Sequence, residues 1–135
     1  KRFSGVKRRF ELLGNFNGLV IYDDFAHHPT AIKMSSNSIK DKHPTKKILG
    51  IVELGSNTMS SGYHKDNLIE SLKILDKTLL LDHNNAYDYF NGFDSEEKML
   101  DCIRTEILEY DIILIMTNKD SQKFIKPILD NLEKK

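Results

Sequence analysis

Three short apolar runs in the last two thirds of the chain restrict its fold more than any other feature. Lys47 to Leu54 contains Ile48-Leu49-Gly50-Ile51-Val52, Thr78 to Leu81 is the second run, and Asp111 to Met116 reads Asp-Ile-Ile-Leu-Ile-Met. Runs this short and this continuously apolar suit strands covered on both faces, because a half-exposed strand would alternate and a buried helix would be longer. Each is followed by a polar loop and then by apolar residues at helical spacing: Leu68, Leu72 and Leu75, then Met99, Ile103 and Ile107, then Ile125, Ile128 and Leu132. Strand, loop and helix repeated in this way predict a parallel sheet with right-handed crossovers.

Ahead of these units, Arg9 to Leu13 and Leu19 to Tyr22 read as two strands separated by Gly14-Asn15-Phe16-Asn17-Gly18. That hairpin is expected to add one antiparallel strand at an edge. A helix follows over Pro29 to Ile39, broken by the polar segment Lys40 to Thr45 with its Pro44. Ser95 is placed to cap the helix that carries Met99, with Glu96 and Glu97 in its first turn as the helix dipole prefers. Pro127 predicts a kink in the last helix. The expected architecture is α/β: a Rossmann-like, mostly parallel six-stranded sheet with flanking helices and the antiparallel N-terminal hairpin strand. At 135 residues, positions 1–135 make one domain. In such a sheet the loops Asp23 to His28, Gly55 to Gly62 and Thr117 to Asp120 gather on one rim, bringing Asp24, His27, Ser56, Asn57 and Asn118 together.

Charge excludes some partners. Twenty basic residues balance twenty acidic ones, so no global field favours nucleic acid or an anionic membrane, and neither is expected as a partner. The apolar runs are too short to span a bilayer and Lys1 does not begin a signal peptide, which gives a cytoplasmic expectation. Cys102 falls on the apolar side of its helix and reads as core. His43, His64 and His83 lack chemical context and are expected to be solvated. The start Lys1-Arg2-Phe3-Ser4-Gly5-Val6-Lys7-Arg8-Arg9, basic and without Met, raises the expectation of a domain cut from a longer protein.

Polar chemistry concentrates between the second strand and its helix, where Asp23, Asp24, His27 and His28 lie within six positions. Adjacent His27 and His28 diverge and no acidic or Cys partner recurs at a ligand spacing, so no metal site is expected in this domain. Arg9, read alone, is either a phosphate contact or a surface arginine in a basic linker, and Asp24 is either a ribose-holding carboxylate or a turn residue.

Phe3-Ser4-Gly5-Val6-Lys7-Arg8-Arg9-Phe10-Glu11, Tyr22-Asp23-Asp24-Phe25-Ala26-His27-His28-Pro29-Thr30-Ala31-Ile32 and Ser56-Asn57-Thr58-Met59 together resemble the C-terminal domain of the Mur ligases. Within that family the second and third motifs resemble the members that attach a whole murein tripeptide in cell-wall recycling. Members that add L-alanine share the Arg-Arg-Phe and the His-His-Pro and are the alternative, as is a non-catalytic module with a decayed acceptor site. The resemblance implies an ATP-dependent amide-bond ligase of three domains, in which ATP and Mg2+ are held mainly by the central domain. ATP would phosphorylate the lactyl carboxylate of UDP-N-acetylmuramate, and the amine of L-alanyl-γ-D-glutamyl-meso-diaminopimelate would displace phosphate. No Gly-x-x-x-x-Gly-Lys-Ser/Thr occurs in this sequence, so no catalytic residue is assigned to it and the isolated domain is expected to be inactive. The N-terminal and central domains of the same chain are its implied partners.

The resemblance also assigns roles. Arg9 matches an arginine that reaches nucleotide phosphates, Asp24 an aspartate that accepts from the ribose hydroxyls, and His27 a position near the nucleotide. His28, Thr30, Ser56, Asn57 and Asn118 fall on the acceptor side. Two departures bear on the acceptor: Glu53-Leu54-Gly55 stands where the family pattern reads Glu-Pro-Arg, and Lys119-Asp120-Ser121-Gln122 stands where a glycine-rich turn follows the asparagine. An acceptor carboxylate needs a cation or convergent N–H donors, and Lys119 is expected to replace the arginine missing at Gly55.

Overall fold

The structure, a computed structural model, describes residues 11–16, 18–24, 29–53, 70–81, 95–117 and 121–133. Strand β1, Glu11–Phe16, pairs antiparallel with β2, Leu19–Asp24. Helix α1 spans Pro29–Lys42 and leads to β3, Ile48–Glu53. Strand β4 is Lys77–Leu81, α2 is Glu96–Glu106 with a 3-10 turn at Ile107–Glu109, β5 is Ile112–Met116 and α3 is Gln122–Glu133. The sheet order is β1-β2-β5-β3-β4, with β2, β5, β3 and β4 all parallel.

The expected hairpin strand does close one edge, and the parallel run follows. Five strands form among the described residues, so the expected sixth has no counterpart there. The hairpin is also tighter than the sequence suggests. A shift of register between Leu12 and Gly14, with Gly14 at φ 150°, lets β1 run on through Gly14 to Phe16, which pairs with Leu19. Only residues 17 and 18 remain between the strands. Gly18 at φ 93° donates its N–H to Asn15 Oδ1 at 2.9 Å, a conformation that a side chain would resist.

Both faces of the sheet are covered, which is why its strands lack alternation. On one face Tyr22, Ile48, Val52 and Leu114 pack with Ile32 and Ile39 of α1 and with Leu72 and Leu75. On the other, Ile21, Leu49, Ile51 and Ile115 pack with Met99 and Ile103 of α2 and Phe124, Ile125 and Ile128 of α3. Each fully buried side chain of this kind is worth about 1.5–3 kcal/mol. Cys102 packs half-buried against the second cluster, as expected of a core thiol.

Gly50 has a steric reason to be glycine, since a Cβ there would sit 2.5 Å from Leu75 Cδ1. Ser95 caps α2 by accepting from the Lys98 N–H at 3.3 Å. Pro127 lies inside the continuous α3. Helix α1 continues three residues past its expected end at Ile39, and this corrects the reading of His43 as solvated. The His43 ring meets Tyr22 edge-on, with Nε2 2.9 Å from the Tyr22 hydroxyl. A buried tyrosine needs such a partner for its O–H. His64 and His83 lie outside the described residues.

Candidate functional site

Parallel pairing aligns the carboxyl ends of the strands. Asp24 and Val52 both pair with Met116, and Glu53 pairs with Leu81, so the chain leaves β2, β5, β3 and β4 along one rim. Direction of departure singles out one part of that rim. After β2 the chain enters α1, and after β3 it reaches Leu72 and Leu75, all on the first face; after β5 it enters α3 on the second. Strand β5 is therefore flanked on both sides by strands whose connections leave the opposite way. Open α/β sheets bind ligands in the crevice that such a reversal creates.

The residues around the end of β5 are polar and buried. Asp23 and Asp24 are each 5% exposed, Glu53 1%, Thr117 fully buried and Ser121 4% exposed. Buried carboxylates require donors. Thr117 donates its N–H to the Asp24 carbonyl at 3.1 Å and its hydroxyl to Glu53 Oε1 at 3.0 Å. Lys123 Nζ donates to Glu53 Oε2 at 2.7 Å and lies 3.2 Å from Glu96 Oε2. Burial disfavours the Lys123 ammonium, but hydrogen bonds and attraction from Glu53 and then Glu96 outweigh it and hold the amine above its ordinary pKa. Ser121 donates to Asp23 Oδ2 at 2.9 Å, joining β2 to the start of α3. Ser35 of α1 donates to Asp24 Oδ2.

Strand alternation gives the two aspartates different surroundings. Asp23 follows Ile21 onto the α3 face, where Ser121 meets it, and reads as a structural tie. Asp24 follows Tyr22 onto the α1 face, at the last residue of β2, immediately before residues 25–28. It is held at the rim by Ser35. Thr30 lies exposed in the first turn of α1. Arg9, His27, His28, Ser56, Asn57, Asn118 and Lys119 lie outside the described residues. Ser35, Glu53, Thr117, Ser121 and Lys123 were not among the expected site residues. Glu53 and Ser121 lay in the two altered motifs and Thr117 opened a rim loop, whereas Ser35 and Lys123 carried no signal in the sequence.

Among the described residues no group of three or more His, Cys, Asp or Glu could hold a metal ion, and no helix is long and apolar enough to cross a membrane.

Residues 8–119 match the model for the family described as Mur ligase, glutamate ligase domain. The chain is 32% identical over 147 aligned residues to the UDP-N-acetylmuramate–L-alanyl-gamma-D-glutamyl-meso-2,6-diaminoheptandioate ligase of Haemophilus influenzae, covering 98% of this chain and 32% of that protein. It is 29% identical to the UDP-N-acetylmuramate–L-alanine ligase of Aquifex aeolicus, covering 99% of this chain and 33% of that one. Among solved structures, a murein peptide ligase from Psychrobacter arcticus is similar with a TM-score of 0.74 at 32% identity, covering 96% of this chain and 31% of that one. The chain spans about a third of the length of the curated relatives it matches.

Proposed function

Because this chain belongs to the Mur ligase family, as its glutamate ligase domain, we propose that residues 1–135 form the C-terminal domain of a cytoplasmic, ATP-dependent amide-bond ligase of peptidoglycan recycling. The whole protein joins L-alanyl-γ-D-glutamyl-meso-diaminopimelate to UDP-N-acetylmuramate through an acyl phosphate. This domain receives the peptide and closes over ATP. One observation carries the reading: the aspartate that the family resemblance assigns to the ribose sits buried at the strand end beside the reversal in connectivity, its carboxylate tied in place.

The chemistry of the residues fits a nucleotide. A carboxylate fixed at a strand end accepts from a ribose diol, and Arg9, always charged, would bond phosphate oxygens in pairs when the domain closes. His27 adjoins the nucleotide, and His28, Thr30, Ser56, Asn57, Asn118 and Lys119 serve the peptide. Bound ATP supplies the phosphoryl group that activates the lactyl carboxylate, with Mg2+ held mainly by the central domain. The residues of this domain orient the nucleotide and the incoming amine and exclude water from the acyl phosphate, which would otherwise be hydrolysed.

The similarity to the Aquifex aeolicus protein favours a second reading, in which the acceptor is L-alanine. Purified full-length protein given UDP-N-acetylmuramate and ATP separates the two. Phosphate release is expected with the tripeptide and not with L-alanine; release with L-alanine alone establishes the second reading.

A further inference from the structure

Ser35 stands in the second turn of α1, near the buried stripe of Ile32, Ser36 and Ile39 that packs on the sheet. A serine inside a helix ordinarily turns its hydroxyl back to the carbonyl four residues earlier or out to water. This one instead donates across to Asp24 Oδ2 on β2. The bond joins the helix that follows the rim segment 25–28 to the strand that precedes it. A carboxylate torsion is broad and roughly two-fold, so each hydrogen bond to the group narrows the range it samples. With Oδ2 tied to α1, the plane of the Asp24 carboxylate is restrained relative to both elements.

We propose that Ser35 is a positioning residue, which sets the Asp24 carboxylate in the orientation that reads the nucleotide ribose hydroxyls. The inference rests on the proposed nucleotide role of Asp24 and extends it to a side chain that touches no substrate. Its neighbour supplies a control. Ser36 is fully buried on the same helix and its hydroxyl has no hydrogen-bond partner among the described residues, so Ser36→Ala removes a hydroxyl from α1 without loosening Asp24.

The test is the discrimination of the full-length ligase between ATP and 2′,3′-dideoxy-ATP, read as the ratio of their KM values, with thermal midpoints followed for every variant. Wild type is expected to prefer ATP by about tenfold or more, as for hydroxyls bonded to a charged acceptor. Asp24→Ala should bring the ratio close to one. Ser35→Ala should lower it roughly fivefold, the worth of one net hydrogen bond, while Ser35→Thr and Ser36→Ala retain the wild-type value. General loosening of α1 would raise both KM values together and leave the ratio alone. If Asp24→Ala collapses the ratio and Ser35→Ala does not change it, or if Ser36→Ala lowers it as much, the positioning role is overturned and the nucleotide role of Asp24 stands. If wild type and Asp24→Ala show the same ratio, the nucleotide role itself fails and the positioning role with it.

Discussion

Lys123 illustrates how much of the rim depends on single side chains. Its ammonium lies between the Glu53 and Glu96 carboxylates while its side chain is 21% exposed, and Glu53 is 1% exposed. Removing the cation of a buried pair leaves the carboxylate with the Thr117 hydroxyl bond but without the Lys123 charge. Lys123→Met is therefore expected to cost about 3 kcal/mol, the lower end for such a pair, as measured by urea unfolding. Lysine raised above its ordinary value near 10.5 binds its proton more tightly folded than unfolded. The ion pair thus contributes fully below that pH, and its contribution disappears as pH rises through the folded value. The gap in stability between wild type and Lys123→Met should be constant near neutrality and shrink above about pH 10.5; a gap that widened there would refute the assignment. At Asp24 the expectation concerns binding. In the full-length ligase Asp24→Ala should weaken ATP by about 1.5–3 kcal/mol, roughly ten- to a hundredfold, and leave UDP-N-acetylmuramate unaffected. ATP titrations at saturating sugar nucleotide check this.

The strands and helices were legible in the sequence because their apolar residues declare both period and burial. Ile48 to Val52 and Ile112 to Met116 could only be central strands, and Ser95 marked the start of α2 by capping chemistry alone. The bulge at Gly14 was not legible, because a glycine between two strands reads first as loop. Nor was His43, whose partner Tyr22 is 21 positions away. The rim network was hidden for the same reason. Thr117 to Glu53 spans 64 positions and Lys123 to Glu53 spans 70, and both contacts exist only because β5 inserts beside β3. Gly50→Ala drives a methyl against the buried Leu75 and is expected to destabilise the domain by about 1–2 kcal/mol. Leu75→Val, which shortens that side chain, should recover part of the loss in the double variant. Strict additivity in thermal or urea unfolding would show that the two positions do not touch.

The whole molecule gives these contacts their purpose. A sheet whose β5 lies between two strands whose connections leave the opposite way from its own concentrates its strand ends around one crevice, and the carboxylates there are braced by Ser35 of α1, by Ser121 at the start of α3 and by Lys123 within it. Apart from Thr30, the residues assigned to the peptide lie outside the described set, so Lys119 and Gly55 are tested by function. Lys119→Ala should raise the tripeptide KM, and Gly55→Arg should lower it, because a guanidinium bonds a carboxylate in a fork that an ammonium cannot form. An unchanged tripeptide KM in Lys119→Ala removes that residue from the site. The activity proposed for the whole protein is ligation. Its most direct measurement is mass analysis of the products formed by the full-length protein from ATP, Mg2+, UDP-N-acetylmuramate and the tripeptide. The expected product is UDP-N-acetylmuramoyl-tripeptide, formed together with ADP and phosphate in equal amounts. ATP turnover that ignores the tripeptide, or no turnover at all, would contradict it.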